Sequence, residues 1–381
     1  MKNYIFGLSI LSSLCFGCST SQDNQPTSFS LEVQDSISID YLKPRYLIDY
    51  DPIQGKYLLS NESYYQYLEV NESGEIIRED SIPWDGPNAV SVILGMGYSK
   101  GKLALATQTD GFKFYENGQP LGKLKIPYPY TSFSFLPELS LLAWNGGYLF
   151  PRFMAESELA GGFTEEFYRN TYANPLFSFL KEGDSIRHLV LLPKESRFLN
   201  GQYHGGLTLV PRLQGEDLYV LTWVRPEILH YKAEGDEFIY QRTITLDLKN
   251  WVGYDEVPMN QAESFYDNFR KKMPGTVRGI YPVGDYFLIQ YQNGISEDLF
   301  PQAKTESGNF DSEKINELNP PLLAVLDKDL NVLATGLELP KGVNGQLVVN
   351  KQGKLVGLKN PALSSTEDSF LILYQMDLNA N

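Results

Sequence analysis

The sequence predicts an all-β chain folded as a six-bladed β-propeller whose N-terminal strand closes the last blade. Three observations carry that expectation. An apolar strand, a tight turn, a second strand, a variable loop and a two-strand hairpin recur six times between residues 46 and 375. The segment FSLEVQDSISI, residues 29–39, alternates like a strand and is left over at one end, while the sixth unit is one strand short at the other. Tyr and Phe are abundant, 25 and 21 residues of 381, and both suit half-buried pleated surfaces.

Taken in order, the first unit spans strands at 46–50, 57–60, 67–70 and 75–78, with turns closing on Gly55 and Gly74. The second takes 90–94, 102–107, 112–115 and 122–126, with Asn117-Gly118 between its last two strands. Asn-Gly flanked by alternating apolar residues is the strongest short-range hairpin signal. The third reads as 131–135, 139–144, 176–180 and 186–192, and the fourth as 207–211, 218–223, 228–231 and 238–246. The fifth takes 277–281, 286–291, 322–326 and 332–339, and the sixth 345–349, 354–358 and 370–375. Lending residues 29–39 to the sixth unit joins the chain ends in one blade and leaves no open ring-closing edge. A β-sandwich with long connections is the alternative, but it does not predict one turn order six times.

The chain opens MKNYIFGLSILSSLCFGCSTSQDNQP. A single Lys2, a short uncharged apolar run and a small residue before Cys18 give the layout of a secretory leader over 1–17. That run is too short to span a bilayer. Residues 14–19 resemble the lipobox of bacterial lipoproteins, which implies that Cys18 is lipidated and that residues 18–28 form a polar tether. Cys15 stands where that motif usually has Leu, so a soluble secreted chain is the alternative. Both cysteines, Cys15 and Cys18, lie in this region, leaving no disulfide or thiol nucleophile for the body at 29–381.

The leader, the Gly-Lys-Leu type turns and the Leu-Tyr-Gln-Met-Asp ending together resemble a family of Bacteroidetes lipoproteins of unassigned function, DUF4221-like. That resemblance implies a six-bladed propeller exported and lipid-anchored to the cell envelope, at the outer membrane and facing either the periplasm or the surface. It implies no activity. The tripeptide Asp-Ser-Ile, three times present, is similar to the O-glycosylation sequon of exported Bacteroidetes proteins and implies glycans on Ser36, Ser81 and Ser185. A plain turn residue opening an outer strand fits the same three positions.

A formal charge of −15 argues against nucleic acid. In a blade, the first-to-second and third-to-fourth turns share one face, and these are short here. The long insertions at 151–175, 249–275 and 293–321 all fall on the other face, where long loops are usually functional. In 249–275 the residues Met259, Ala262, Phe265, Phe269 and Met273 follow helical spacing, a stripe expected to pack down on the propeller. Arg45, Arg152, Arg225, Arg278 and His204 map to that face, with Trp84 and Trp251 on nearby links. Guanidinium forks bind carboxylate, sulfate or phosphate, and the rings could stack on sugar. Internal pairing of the same arginines with local acids is the alternative.

No catalytic or cofactor signature stands out. His188, His204 and His230 are too scattered for a metal triad, and the segment 327–331 lacks the glycine and distal glutamate of a calcium loop. Glu165, Glu166 and Glu256 could supply carboxylate pairs for glycoside cleavage. The expectation is a binding or scaffolding module at the envelope for a glycan or an anionic ligand. Its alternatives are a polysaccharide-active enzyme and a structural subunit of an envelope protein complex.

Overall fold

The computed structural model describes residues 28–130, 132, 138–181, 183–360 and 370–381. The leader, Cys18, almost all of the tether and all but one residue of the strand expected at 131–135 lie outside the described residues. Strand β1 (Phe29–Ile39) is followed by blade one, β2 (Tyr46–Asp51), β3 (Lys56–Ser60), β4 (Gln66–Asn71) and β5 (Ile76–Ser81). Blade two is β6 (Ile93–Ser99), β7 (Lys102–Thr107), β8 (Phe112–Glu116) and β9 (Gln119–Leu124). Blade three is β10 (Leu142–Trp144) and β11 (Gly147–Pro151), then helices α1 (Glu156–Leu159) and α2 (Glu165–Ala173), then β12 (Phe177–Leu180) and β13 (Arg187–Leu189).

A two-residue strand β14 (Gln202–Tyr203) precedes blade four, β15 (Leu209–Gln214), β16 (Asp217–Thr222), β17 (Arg225–Glu234) and β18 (Glu237–Thr245). Strand β19 (Val257–Pro258), which pairs with β14, leads into a 3-10 segment and α3 (Asn268–Lys271). Blade five is β20 (Met273–Val283), β21 (Tyr286–Ile295), β22 (Leu322–Leu326) and β23 (Val332–Glu338), with α4 (Ser312–Leu318) inserted before β22. Blade six is β24 (Val343–Val349), β25 (Leu355–Lys359) and β26 (Leu371–Ala380), and its outer strand is β1.

Each blade is a four-stranded antiparallel sheet, so alternate side chains face the two neighbouring blades. The apolar residues sort accordingly into six layers, one at each junction. The layer between blades six and one joins Ile37, Ile39, Val356 and Leu373 to Leu47, Leu59 and Val70. The strand that carries Ile37 and Ile39 is hydrogen-bonded to one from the far end of the chain, β26, which pairs with β1 from Phe29–Ala380 to Ile39–Leu371. Polar contacts seal the same junction: Glu72 accepts from Tyr50 Oη at 2.8 Å and from Lys351 and Gln352 of blade six. Because β1 runs as an outer strand, its start at Phe29 lies on the face of the short turns, opposite the insertions.

Blade three departs from the sequence expectation. The segment read as its second strand, 139–144, supplies the innermost strand β10, and the second strand is β11, in a stretch read partly as insertion. Asn145 and Gly146 make the connecting turn with φ of 43° and 77°, the same left-handed pair that Asn117 and Gly118 use in blade two. In blade two the innermost strand begins at Ile93, three residues later than the sequence suggested.

The insertions carry the helices. Thr164 caps α2 by accepting from the Phe167 N–H, and Asp311 caps α4 through the N–H groups of Glu313 and Lys314. Met259, Ala262 and Phe265 pack down into the layer of blades three and four beside Tyr172, Phe198 and Tyr203. The helical stripe stops there: Phe269 is exposed, and Met273 already belongs to β20.

Candidate functional site

Most of the arginines expected at the insertion face are held by the protein itself. Arg45 is buried, with Nη2 donating to Tyr41 Oη at 2.6 Å and Nη1 to the Pro44 carbonyl at 2.9 Å. Arg152 donates from Nη1 to Glu158 Oε1 at 2.7 Å and from Nε to the Pro175 carbonyl at 3.1 Å. Glu158 in turn accepts from the Ala155 N–H and the Asn174 amide, so this ion pair buckles the 151–175 insertion onto blade three.

Arg225 reaches Glu256 Oε1 at 3.2 Å and His204 Nδ1 at 2.9 Å, while Arg197 and Asn200 donate to the same carboxylate. His204 is only 3% exposed. Burial, then the neighbouring Arg225 charge, pushes its pKa down to about 4, so at neutral pH it serves as a neutral acceptor tying the 196–204 loop to Arg225 on β17, while Glu256 ties that loop to the 249–258 link. Trp251 packs into the layer of blades four and five, against Gly275. Trp84 alone stands free, 80% exposed on the link between blades one and two.

Arg278 goes elsewhere. It sits in a β-bulge of β20, between Val277 and Gly279, which breaks the strand's alternation and re-aims the side chain. Its wall is the central channel, a cavity of about 670 Å³ lined by the innermost strands. The charges lining it include Asp49, Asp51, Glu138, Arg212 and Arg278, with Trp223, Tyr281 and Gln346 between them. Among the described residues, no carboxylate lies within ion-pair distance of Arg212 or Arg278. Arg278 keeps Nε on Thr276 at 3.2 Å and lies over the Trp223 ring. Tyr281 donates to Gln290 Oε1 at 2.9 Å, and Gln290 is anchored on the Gly345 carbonyl, which fixes the phenol beside both guanidiniums.

The two ends of the cluster differ. Asp49 is committed: its oxygens accept the N–H groups of Tyr50 at 2.8 Å and of Tyr98 at 2.7 Å, strapping blade one to blade two. Gly97 makes the strap possible, since a Cβ there would stand 2.8 Å from Asp49 Oδ2 and 3.0 Å from the Leu139 Cβ. Burial lifts Asp49 to about 6 against those two amides. Glu138 has no such partner, and burial lifts it to about 7, with Arg212 opposing and Asp49 adding. Burial also lowers Arg278 and raises Tyr281. Three polar atoms on the wall lack any partner: Asp51 Oδ2, Gln346 Oε1 and Trp223 Nε1.

No group of three or more metal-ligating side chains occurs among the described residues. His188 pairs with Ser178 and His230 with Asp217, on outer parts of different blades. Glu165 pairs with Arg169 on α2, away from Glu256. Ser36, Ser81 and Ser185 are all exposed on or beside outermost strands, a placement compatible with modification and with a plain turn alike.

Arg278, expected on the insertion face, thus lies on the channel wall with Asp49, Asp51, Glu138 and Arg212, which sequence reasoning did not single out. The available signal was charge inside an otherwise apolar innermost strand, as at Asp49 and Asp51 in YLIDYD and at Arg212 in LVPRLQ.

No family model matches this chain, and no curated protein matches it. Among solved structures, a member of the DUF4221 family from Bacteroides vulgatus is similar at 11% identity, covering 94% of this chain and 100% of that one, with a TM-score of 0.63. A protein from Bacteroides fragilis, named as exported, is similar at 11% identity over 94% and 97% of the two chains, with a TM-score of 0.53. These likenesses carry the fold. The resemblance read from the sequence agrees with them: the chain is a six-bladed β-propeller with the architecture of a DUF4221 member.

Proposed function

We propose that this chain is an exported, lipid-tethered propeller that binds a small polar ligand in its central channel. One observation carries the reading. The channel keeps two guanidiniums without an ion pair among the described residues and three wall atoms without a hydrogen bond, whereas Arg152 and Arg225 are ion-paired internally and Arg45 is held on Tyr41. Buried polar groups are normally paired, so unpaired ones on the wall of a cavity favour a polar ligand there. Export rests on the leader and on the name of the Bacteroides fragilis neighbour. No described helix is long and apolar enough to cross a membrane, so Cys18 would be the attachment. A tether entering at Phe29 then directs the insertion face away from the lipid.

Cleavage of a glycosidic bond is a second reading, favoured by Glu138 and Asp49 titrating near neutrality. It needs two free carboxyl groups across the bond; both Asp49 oxygens are taken by backbone amides, and Asp51 is fully buried with one oxygen on the Ile53 N–H, which leaves Glu138 without a free carboxyl partner. Service as an envelope-complex subunit would instead use the exposed Phe163, Tyr266 and Phe269 of the insertions.

The test is a thermal-shift and native mass-spectrometry screen with small sugars, sugar acids and amino acids on the purified protein. A bound ligand raises the melting temperature with concentration. Filling the channel with Gln346→Trp should abolish the shift, while Trp84→Ala on the insertion face should leave it intact. A shift that survives Gln346→Trp overturns the channel reading.

A further inference from the structure

The channel wall specifies more than a ligand; it specifies a chemistry. Sorting its free groups by hydrogen-bond sense gives two sets. Arg212, Arg278 and the Trp223 N–H can only donate, while Asp51 Oδ2 and Gln346 Oε1 can only accept. Glu138, free of any ion pair among the described residues, accepts when ionised and donates when protonated. A ligand that satisfies the wall must offer acceptors to the first set and donors to the second. Charge narrows it further. Asp49, Asp51 and Glu138 stand in the same cavity as the two arginines and Lys100, so the wall is close to balanced and gives a multiply charged anion no net attraction.

We propose that the channel binds a sugar acid, a carboxylate-bearing saccharide of one or two rings, with its carboxylate on the forks of Arg212 and Arg278 and its hydroxyls on Asp51, Gln346 and Glu138. This rests on the channel being the ligand site, and it names the ligand class for that site. A neutral sugar would leave both guanidiniums without a counter-charge in a part of the protein where burial already disfavours the Arg278 charge. A phosphate ester would bring a second negative charge against three carboxylates. An amino acid would occupy only part of a cavity of about 670 Å³ and would offer its donors from a single ammonium instead of from several spaced hydroxyls. The phenol of Tyr281, fixed on Gln290 at 2.9 Å, lines the same wall as the two arginines.

Isothermal titration of the purified protein with D-glucuronate, D-glucose, inorganic phosphate and L-glutamate decides it. D-glucuronate should bind, and D-glucose should be weaker by roughly tenfold or more, the worth of one charge-assisted hydrogen bond. Arg278→Gln should lose a comparable factor, and Arg212→Lys, which keeps the charge but not the fork, should lose part of it. Both variants are checked by circular dichroism. Equal or tighter binding of glucose, phosphate or glutamate, or no binding of D-glucuronate, overturns the sugar-acid assignment. In the first case abolition by Gln346→Trp shows that the channel reading survives. Binding of any of the four that persists in Gln346→Trp overturns the channel reading itself.

Discussion

Replacing Glu138 by Gln should make the protein more stable at pH 8 and leave it unchanged at pH 4. Burial raises this carboxyl from the ordinary 4.5 to about 7, with Arg212 opposing and Asp49 adding to the rise. Tyr281 is the other titratable group coupled to it. A carboxyl whose folded pKa is raised contributes fully below its unfolded value, and that contribution is lost as pH climbs through the folded one. Between pH 4.5 and about 7 the folded state therefore holds the proton that the unfolded state releases, and stability falls with rising pH. The full displacement corresponds to about 3 kcal/mol. Glu138 touches the channel and is partly screened there, so a measured gain of about 1–3 kcal/mol is expected at pH 8. Gln keeps the shape and removes the titration. Urea unfolding of both proteins at pH 4, 6 and 8 reads the difference directly. A gain of equal size at every pH, or a loss at pH 8, would refute the assignment of Glu138 to a buried, unpaired position.

Three further outcomes follow from other parts of the molecule. His204 carries the opposite sign: its folded pKa lies below the ordinary one, at about 4, so stability falls as pH drops from about 6.5 toward 4. His204→Gln should flatten that acid limb by up to about 3 kcal/mol, and a limb unchanged in the variant would exclude His204 as its source. Ile39→Ala, fully buried in the layer closing the ring, should cost about 3 kcal/mol in urea unfolding. Val33→Ala on the same strand, 40% exposed, should stay within about 0.5 kcal/mol, and equal costs would argue against β1 as a core strand. Glu158→Gln should loosen the 151–175 insertion without melting the propeller, seen as faster chymotrypsin cleavage at Phe163 and Phe167 with a nearly constant melting temperature.

How much of this was legible in the sequence varies with how local the controlling physics is. Strand alternation and glycine turns are local, so blades one, four, five and six were readable strand by strand, with ends displaced by up to five residues, including the loan of residues 29–39 to blade six. Blade three failed because its alternating 131–135 segment competed with the true innermost strand. The Asn145-Gly146 turn carried the same information as Asn117-Gly118, but the double glycine at 146–147 obscured it. The site was less legible. Whether an arginine is free depends on a partner far along the chain, and Glu256 stands 31 residues from Arg225. The bulges in β2 and β20 hide the channel residues further, since a single unpaired residue inverts the inside–outside alternation beyond it.

The central claim, that the channel and not the insertion face holds the ligand, is tested most directly by a crystal structure soaked with D-glucuronate. The account predicts density for the sugar acid inside the ring, its carboxylate between Arg212 and Arg278. Density instead on the insertion face beside Trp84 or Arg152, with the channel arginines turned onto Glu138 and Asp51, would contradict it.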